Sequence, residues 1–245
     1  MRKPVFDCNC TGNHQINFGL LSLHPMIEFP DPNLADDDGL VAYGGELSPD
    51  YLLSAYSQGI FPWFSENEPI LWWSPNPRMV LLPQDFKIRK SLQQVINKGT
   101  FELRIDSAFR DVISHCSQIP RPGQDETWIT PEMIGAYVKL HQLGYAHSFE
   151  SYYENQLVGG LYGLSLGNCF FGESMFFTKT DASKVAFYHL VQFAQKHHFS
   201  FIDAQQPTDH LKSLGAKPIP RKEFLEMLEF ALQKQTIKGS WSELI

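Results

Sequence analysis

Positive charge is scarce in this sequence: 20 Lys and Arg stand against 27 Asp and Glu, a formal net charge of −7. That balance argues against a protein that coats nucleic acid non-specifically. A local basic patch on an acidic body stays open, and it would neutralise few phosphates and bind weakly at physiological salt. Cysteine is sparse too. Cys8, Cys10, Cys116 and Cys169 are irregularly spaced, which argues against a disulfide framework. Cys8, Cys10 and His14 have no second pair at ligand spacing, and His147, His189, His197, His198 and His210 are scattered, so no metal site is expected. Long apolar runs are missing. The stretch "INFGLLSL" near the start is broken by Asn17, Gly19 and Ser22, and it reads as neither a signal peptide nor a membrane span. There is no G-x-S-x-G, no P-loop and no G-x-G-x-x-G. A soluble, reduced, cytoplasmic protein is expected.

With 245 residues, 43% of them hydrophobic, a sizeable core is available, in one large domain or two modest ones. Residues 59–78, "GIFPWFSENEPILWWSPNPR", hold Trp63, Trp72 and Trp73, three of the five tryptophans, among four prolines. The prolines forbid a helix interior and demote any strand to an edge. An irregular scaffold is therefore expected to hold large aromatic faces, which either plug a core or stack on a flat ligand. Just before it, Ser48 as N-cap, Pro49 at the first helical position, an apolar stripe of Leu52, Leu53 and Tyr56, and Gly59 as stop predict a short helix. A soft boundary is placed near residue 76, giving a small N-terminal α/β domain over 1–76 and a larger domain over 77–245.

Beyond the boundary the texture is α+β. Helices are predicted in "KIRKSLQQVINKG", in "TPEMIGAYVKLHQLG" with Thr130 as cap and Gly144 as stop, and in "DASKVAFYHLVQFAQKH", "TDHLKSLG" and "KEFLEMLEFALQK". Strands are predicted at the start of "FELRIDSAF", in a meander over 146–176 with turns at Glu154-Asn155 and Gly167-Asn168, and in "FSFIDAQ".

Three features carry chemistry. Asp203 and Gln205 end the apolar strand "FSFIDAQ" two residues apart, hence on one face, as a pair that could orient and deprotonate a nucleophile or simply begin a turn. Glu173 interrupts the apolar strand "CFFGESMFF"; a lone buried carboxylate is costly, so it faces water, pairs with a cation, or is a site residue of raised pKa. Phe170, Met175 and Ile202 beside it could wall an apolar pocket. Lys87, Arg89, Lys90, Lys98 and Arg104 follow the tryptophans closely, as a solvated face or as a phosphate-backbone contact.

The blocks "GGELSPDYLLSAYSQGIFPWFSENEPILWWSPNPR", "ETWIT", "LGYAHSFE", "LVGGLYGLSLGNCFFGESMF", "DASK" and "FIDAQ", with "HLKSLGA" and "PIPR" after it, strongly resemble the bacterial leucyl/phenylalanyl-tRNA–protein transferases over roughly residues 26–230. Residues 1–25 stand outside the resemblance, as an N-terminal extension. The resemblance implies a small N-terminal domain joined to one with the fold of the GNAT acyltransferases, a mixed, mostly antiparallel sheet flanked by helices. It implies transfer of Leu or Phe, less readily Met, from aminoacyl-tRNA to the α-amino group of proteins beginning with Arg or Lys. The product would be an N-degron read by the degradation machinery. It implies no cofactor, and a monomer is expected. It also implies that Trp63 and Trp128 contact the 3′-terminal adenosine. Asp203, assisted by Gln205, would accept or orient the amine proton, and Glu173 would fix a substrate amine or the acceptor's cationic side chain. Leu161, Phe170, Met175 and Ile202 would line the pocket for the Leu or Phe side chain, and Lys87, Arg89, Lys90 and Lys98 would hold the tRNA backbone. The rival enzyme on the same fold is an acetyl-CoA-dependent acetyltransferase, which the glycine-free segment "TKTDASKVAF" disfavours because backbone N–H groups could not gather around a pyrophosphate. A non-catalytic RNA-binding module is the rival of another class.

Overall fold

A computed structural model describes residues 6–7, 26–119 and 127–244. Cys8, Cys10 and His14 lie outside the described residues. In chain order the elements are β1 (Phe6–Asp7), β2 (Leu40–Tyr43), α1 (Pro49–Ser57), β3 (Phe61–Pro62), β4 (Leu71–Trp73), β5 (Arg78–Leu81), α2 (Lys90–Asn97), β6 (Glu102–Ile105), α3 (Phe109–Ser117), α4 (Pro131–Gln142), β7 (Ala146–Tyr153), β8 (Gln156–Leu166), β9 (Cys169–Phe177), α5 (Ala182–Lys196), β10 (Phe201–Gln205), α6 (Asp209–Ser213), β11 (Lys217–Ile219) and α7 (Arg221–Leu232). The fold is mixed α and β, with a small N-terminal part and a larger sheet flanked by helices.

The N-terminal strands form a four-stranded sheet in the order β1-β2-β4-β3. The tryptophan segment is thus more regular than its prolines suggest. Pro62 sits on β3, an edge strand where its missing N–H costs no ladder bond, and Trp72 and Trp73 lie on β4 inside the sheet. Trp72 is fully buried and donates through Nε1 to the Gly44 carbonyl at 2.8 Å. Within the segment read as an extension, Phe6 and Asp7 pair in parallel with Ala42 and Tyr43.

Seven strands make the second sheet, in the order β11-β5-β10-β9-β8-β7-β6. Its pairings are antiparallel except β10 with β9, which run parallel. Side chains alternate between two cores, as the two-residue period of a strand requires. Phe171, Phe201 and Tyr162 face a cluster shared with α1, α3, α4, α7 and the small sheet. Phe170, Ile202 and Leu161 face one built by α5 and Trp241. Trp241 closes that second core: it is fully buried, stacks on Phe193 with ring centroids 4.4 Å apart, and its backbone N–H donates to Asp106 at 2.8 Å.

The parallel pair stays in register only from Phe201–Cys169 to Asp203–Phe171. Past that point both strands leave it. On β9 the pairing with β8 passes from Gly163–Gly172 to Tyr162–Ser174, so Glu173 is the extra, bulged residue. On β10 the pairing with β5 passes from Asp203–Val80 to Gln205–Met79, skipping Ala204, and Gln205 sits at φ +58°. Two bulges at the same level open a gap in the middle of the sheet.

Candidate active site

A cavity of about 300 Å³ lies at this gap, lined by Leu161, Met175 and Ile202 from the sheet, Phe187 and Leu190 from α5, and Leu211 from α6. Glu173, Asp203 and Tyr162 contribute to the lining as well. The volume is at the small end of ligand pockets, which run from about 300 to 1,000 Å³. Of the four residues expected to wall a pocket, Leu161, Met175 and Ile202 do. Phe170 does not line it: its ring is fully buried one layer behind, edge-on to Phe149 and 6.3 Å from the Trp241 ring. Phe170 also fills the space over Gly163, where a Cβ would lie 2.5 Å from its Cε1 and 2.1 Å from the Phe171 carbonyl oxygen.

On the opposite side of the gap the polar groups converge. Glu173 Oε1 accepts from Tyr56 Oη at 2.7 Å and from Gln205 Nε2 at 2.8 Å, and its Oε2 accepts from Tyr137 Oη at 3.2 Å. The two phenol oxygens are also hydrogen-bonded to each other. Burial raises the Glu173 pKa to about 7; the hydroxyls of Tyr56 and Tyr137 and the positive charge of Arg78 pull it down, and the negative charge of Asp203 pushes it up. A carboxylate poised there titrates in the range where amines are handled at neutral pH. Burial, aided by the Glu173 charge, pushes both phenols well above their ordinary range.

Asp203, expected to accept or orient the amine proton, is held in a buried ion pair beside the cavity. Its carboxylate is fully buried and takes two hydrogen bonds from Arg78, Nε to Oδ1 at 2.9 Å and Nη2 to Oδ2 at 2.6 Å. Oδ1 also accepts the backbone N–H of Gln205 at 2.9 Å, which pins that residue in its left-handed conformation. Arg78 and the Gln205 N–H together fill three of the carboxylate's roughly four acceptor sites, so Asp203 also sets the course of β10. Arg78 donates its third bond to the Gly59 carbonyl at 3.3 Å, and its guanidinium carbon lies 4.8 Å from the Phe61 ring centre and 4.4 Å from that of Phe224. One arginine thereby joins the small sheet, α7 and the site strand.

Arg78, Tyr56 and Tyr137 did not emerge from sequence reasoning. Arg78 heads the apolar run "RMVLL", and an arginine entering a buried strand demands a carboxylate partner; that was the available signal. Tyr56 belongs by spacing to an apolar stripe and its ring is fully buried, but its hydroxyl reaches Glu173.

The remaining candidates lie away from the cavity lining. Trp63 is half-buried beside Trp73, with centroids 5.8 Å apart, and its carbonyl accepts Trp73 Nε1 at 2.6 Å. Trp128 is buried in the larger core cluster. Lys87, Arg89, Lys90 and Lys98 are exposed at the two ends of α2. Arg104 is engaged instead with Glu102 at 2.7 Å and with the face of Tyr152. Among the described residues no helix is long and apolar enough to cross a membrane.

The sequence description "Leucyl/phenylalanyl-tRNA protein transferase" matches residues 80–229, and that of the family's N-terminal domain matches residues 45–76. Among the relatives that bear the name leucyl/phenylalanyl-tRNA–protein transferase are the following three. One from Desulfatibacillum aliphaticivorans is 52% identical over 221 residues, 90% of this chain and 95% of that one. One from Anaeromyxobacter sp. (strain Fw109-5) is 54% identical over 215 residues, 88% of this chain and 92% of that one. One from Legionella pneumophila (strain Corby) is 56% identical over 214 residues, 87% of this chain and 96% of that one. The chain belongs to the leucyl/phenylalanyl-tRNA–protein transferase family and is an aminoacyltransferase.

Proposed function

We propose that this enzyme transfers Leu or Phe, and less readily Met, from aminoacyl-tRNA to the α-amino group of proteins that begin with Arg or Lys, marking them as N-degrons. It acts as a monomer in the cytoplasm. The observation that carries the reading is the gap between β9 and β10, with an apolar cavity for one amino-acid side chain on the α5 side and the Glu173 cluster on the other. The two reactants meet through the gap from opposite faces of the sheet.

The ester of a charged tRNA is already activated, so the enzyme's task is alignment and proton management. The amine nitrogen attacks the ester carbonyl carbon, the bond from that carbon to the ribose oxygen breaks, and the departing oxygen takes up the proton the amine loses. An α-amine of pKa about 7.7–8.0 is a minority neutral species at pH 7, so modest help suffices. Glu173 receives the acceptor's cationic group. Gln205, whose side-chain N–H is committed to Glu173, offers its carbonyl oxygen to orient the attacking amine. Asp203 acts through Gln205, held rigid by Arg78. Leu161, Met175, Ile202, Phe187 and Leu190 bind the transferred side chain, with Phe170 as their backing. A β-branched side chain would fill that space poorly, at a cost of about 1–3 kcal/mol. Trp63 and Trp128 serve the 3′-terminal adenosine, and Lys87, Arg89, Lys90 and Lys98 the tRNA backbone.

The acetyltransferase reading is disfavoured by the backbone ahead of α5. At the start of α5, where a pyrophosphate would rest, Asp181 stands at the cap position paired with Lys184 at 2.7 Å. The segment leading into the helix has no glycine to let successive backbone N–H groups gather around a pyrophosphate. The test is a pair of reactions containing a peptide that begins with Arg, one supplied with Phe-charged tRNA and the other with acetyl-CoA. A mass increase of one Phe residue in the first is expected; no such increase, or an acetyl increment in the second, overturns the reading.

A further inference from the structure

The cluster around Glu173 contains one more hydrogen bond than an ionised carboxylate permits. Tyr56 Oη contacts Glu173 Oε1, Tyr137 Oη contacts Glu173 Oε2, and the two phenol oxygens contact each other. Each of these three edges needs one proton. Two phenols supply two, and an ionised carboxylate is an acceptor only. With Glu173 ionised both phenolic protons turn to the carboxylate, and the two phenol oxygens are left facing each other with lone pairs alone. A proton on Glu173 resolves this. The acid O–H then donates from Oε2 to Tyr137, Tyr137 donates to Tyr56, and Tyr56 donates to Oε1, a closed circuit with every edge satisfied. Gln205 Nε2, donating to Oε1 from outside the circuit, is compatible with either state.

We infer that in the free enzyme Glu173 is neutral, in a ring of three O–H···O hydrogen bonds with Tyr56 and Tyr137, and that a cationic acceptor binds by displacing that ring proton into solvent. The balance is one carboxylic acid plus one bound cation giving a carboxylate–cation pair and one free proton; the phenols then both donate to the carboxylate. Tyr56 and Tyr137 act through Glu173 as positioning residues, and they give the site a reason to reject neutral first residues. An uncharged group has no means to lift the proton, so its entry leaves the ring closed. The inference deepens the proposed function, on whose assignment of a cationic acceptor to Glu173 it rests.

The groups that face Glu173 are consistent with a proton held near neutrality. Tyr56 on α1 and Tyr137 on α4 are both fully buried, Gln205 and Asp203 come from β10, and Arg78 comes from β5. Asp203 favours the acid form and Arg78 opposes it, but the guanidinium is already neutralised by its two bonds to Asp203. Burial is the largest influence and favours the neutral acid, against the opposing pull of the Tyr56 and Tyr137 hydroxyls.

Two measurements test the ring. Infrared difference spectra of the free enzyme between pH 6 and pH 8.5 should show a carboxylic-acid C=O band at pH 6 that is missing from Glu173→Gln and disappears when a peptide beginning with Arg is added. In Tyr137→Phe the band should shift, because the acid O–H loses its acceptor. Calorimetry of the same peptide, without tRNA, in two buffers of different ionisation heat should give close to one proton released per peptide at pH 6 and close to none at pH 8.5. Absence of the acid band at pH 6, or an unshifted band in Tyr137→Phe, overturns the ring, as does peptide binding at pH 6 without proton release. The band in the free, unmodified enzyme is read without turnover or any variant folding. A failed transfer assay with the band present therefore sinks the proposed acceptor chemistry and spares the ring, whereas an absent band with transfer intact does the reverse.

Discussion

Replacing Arg78 by Met should destabilise the protein by about 3–5 kcal/mol, the usual cost of removing one member of a buried, hydrogen-bonded ion pair. Both side chains are fully excluded from solvent, and Arg78 supplies two charge-assisted bonds to Asp203, at 2.9 and 2.6 Å. Without it Asp203 is a lone, fully buried carboxylate with only the Gln205 N–H left to it. The Gly59 carbonyl loses its donor as well. Methionine preserves part of the packing between the Phe61 and Phe224 rings, so the loss reports mainly on charge. Against a total stability of about 5–15 kcal/mol the change is large and is read directly from urea unfolding followed by tryptophan fluorescence. The pair is then removed together in Arg78→Met/Asp203→Leu. Two neutral residues of similar bulk should recover most of the loss, to within about 1 kcal/mol of the parent, because no charge is left buried. Transfer activity should stay lost in the double variant, because Gln205 has lost the acceptor that holds its backbone. A cost for Arg78→Met below about 1 kcal/mol, or a double variant that transfers Phe normally, refutes the assignment of Asp203 as the residue that fixes Gln205.

Glu173→Gln should change the pH dependence of stability. The folded pKa of about 7 lies above the usual 4.5, so between these values the native state binds more protons than the unfolded chain and parental stability falls as pH rises. The variant lacks that fall, and its advantage in chemical unfolding should grow by up to about 3 kcal/mol from pH 4.5 to 8; a constant difference contradicts a raised pKa. Gly163→Ala puts a methyl group 2.1 Å from the Phe171 carbonyl oxygen and 2.5 Å from the Phe170 ring. It should cost about 1–3 kcal/mol in calorimetric unfolding and raise KM for the transferred amino acid, and a neutral result would mean that β8 and β9 yield more easily than their close packing implies. Trp241→Ala, which empties the space behind Phe170, should cost about 3–5 kcal/mol and weaken Phe transfer more than binding of uncharged tRNA. Reversing Lys87, Arg89 and Lys90 to Glu should weaken tRNA binding and flatten its salt dependence by a slope of about 2–3 on a log–log plot, and an unchanged slope would move the tRNA track elsewhere.

Much of the fold was legible because its stop and start signals are local. Ser48 caps α1 and Thr130 caps α4 through their own side chains, Gly59 and Gly144 end those helices at φ +75° and +78°, and Glu154-Asn155 turns the chain with both residues at positive φ. Helix α3 escaped notice for the complementary reason. Its cap position is Ala108, which has no capping side chain, and the N–H groups of Ser107 and Ala108 are met by Glu150 from β7, more than forty residues along the chain.

The same division runs through the site. Glu173 and the Asp203–Gln205 pair stood out because a carboxylate in an apolar strand must be accounted for wherever the strand lies. What the pair does depends on Arg78, 125 residues away, and what Glu173 does depends on two tyrosines 117 and 36 residues away. Rings of that kind pack as core, and only the assembled fold shows where each hydroxyl ends. The bulges are equally invisible to pattern reading. Phe171 and Phe176 face the same core although five residues apart, a parity that uninterrupted alternation forbids. The extra residue that makes up the count is Glu173 itself. The feature that disrupts the strand pattern and the feature that supplies the chemistry are therefore one position, and shortening β9 by that residue would close the gap in the sheet along with removing the carboxylate.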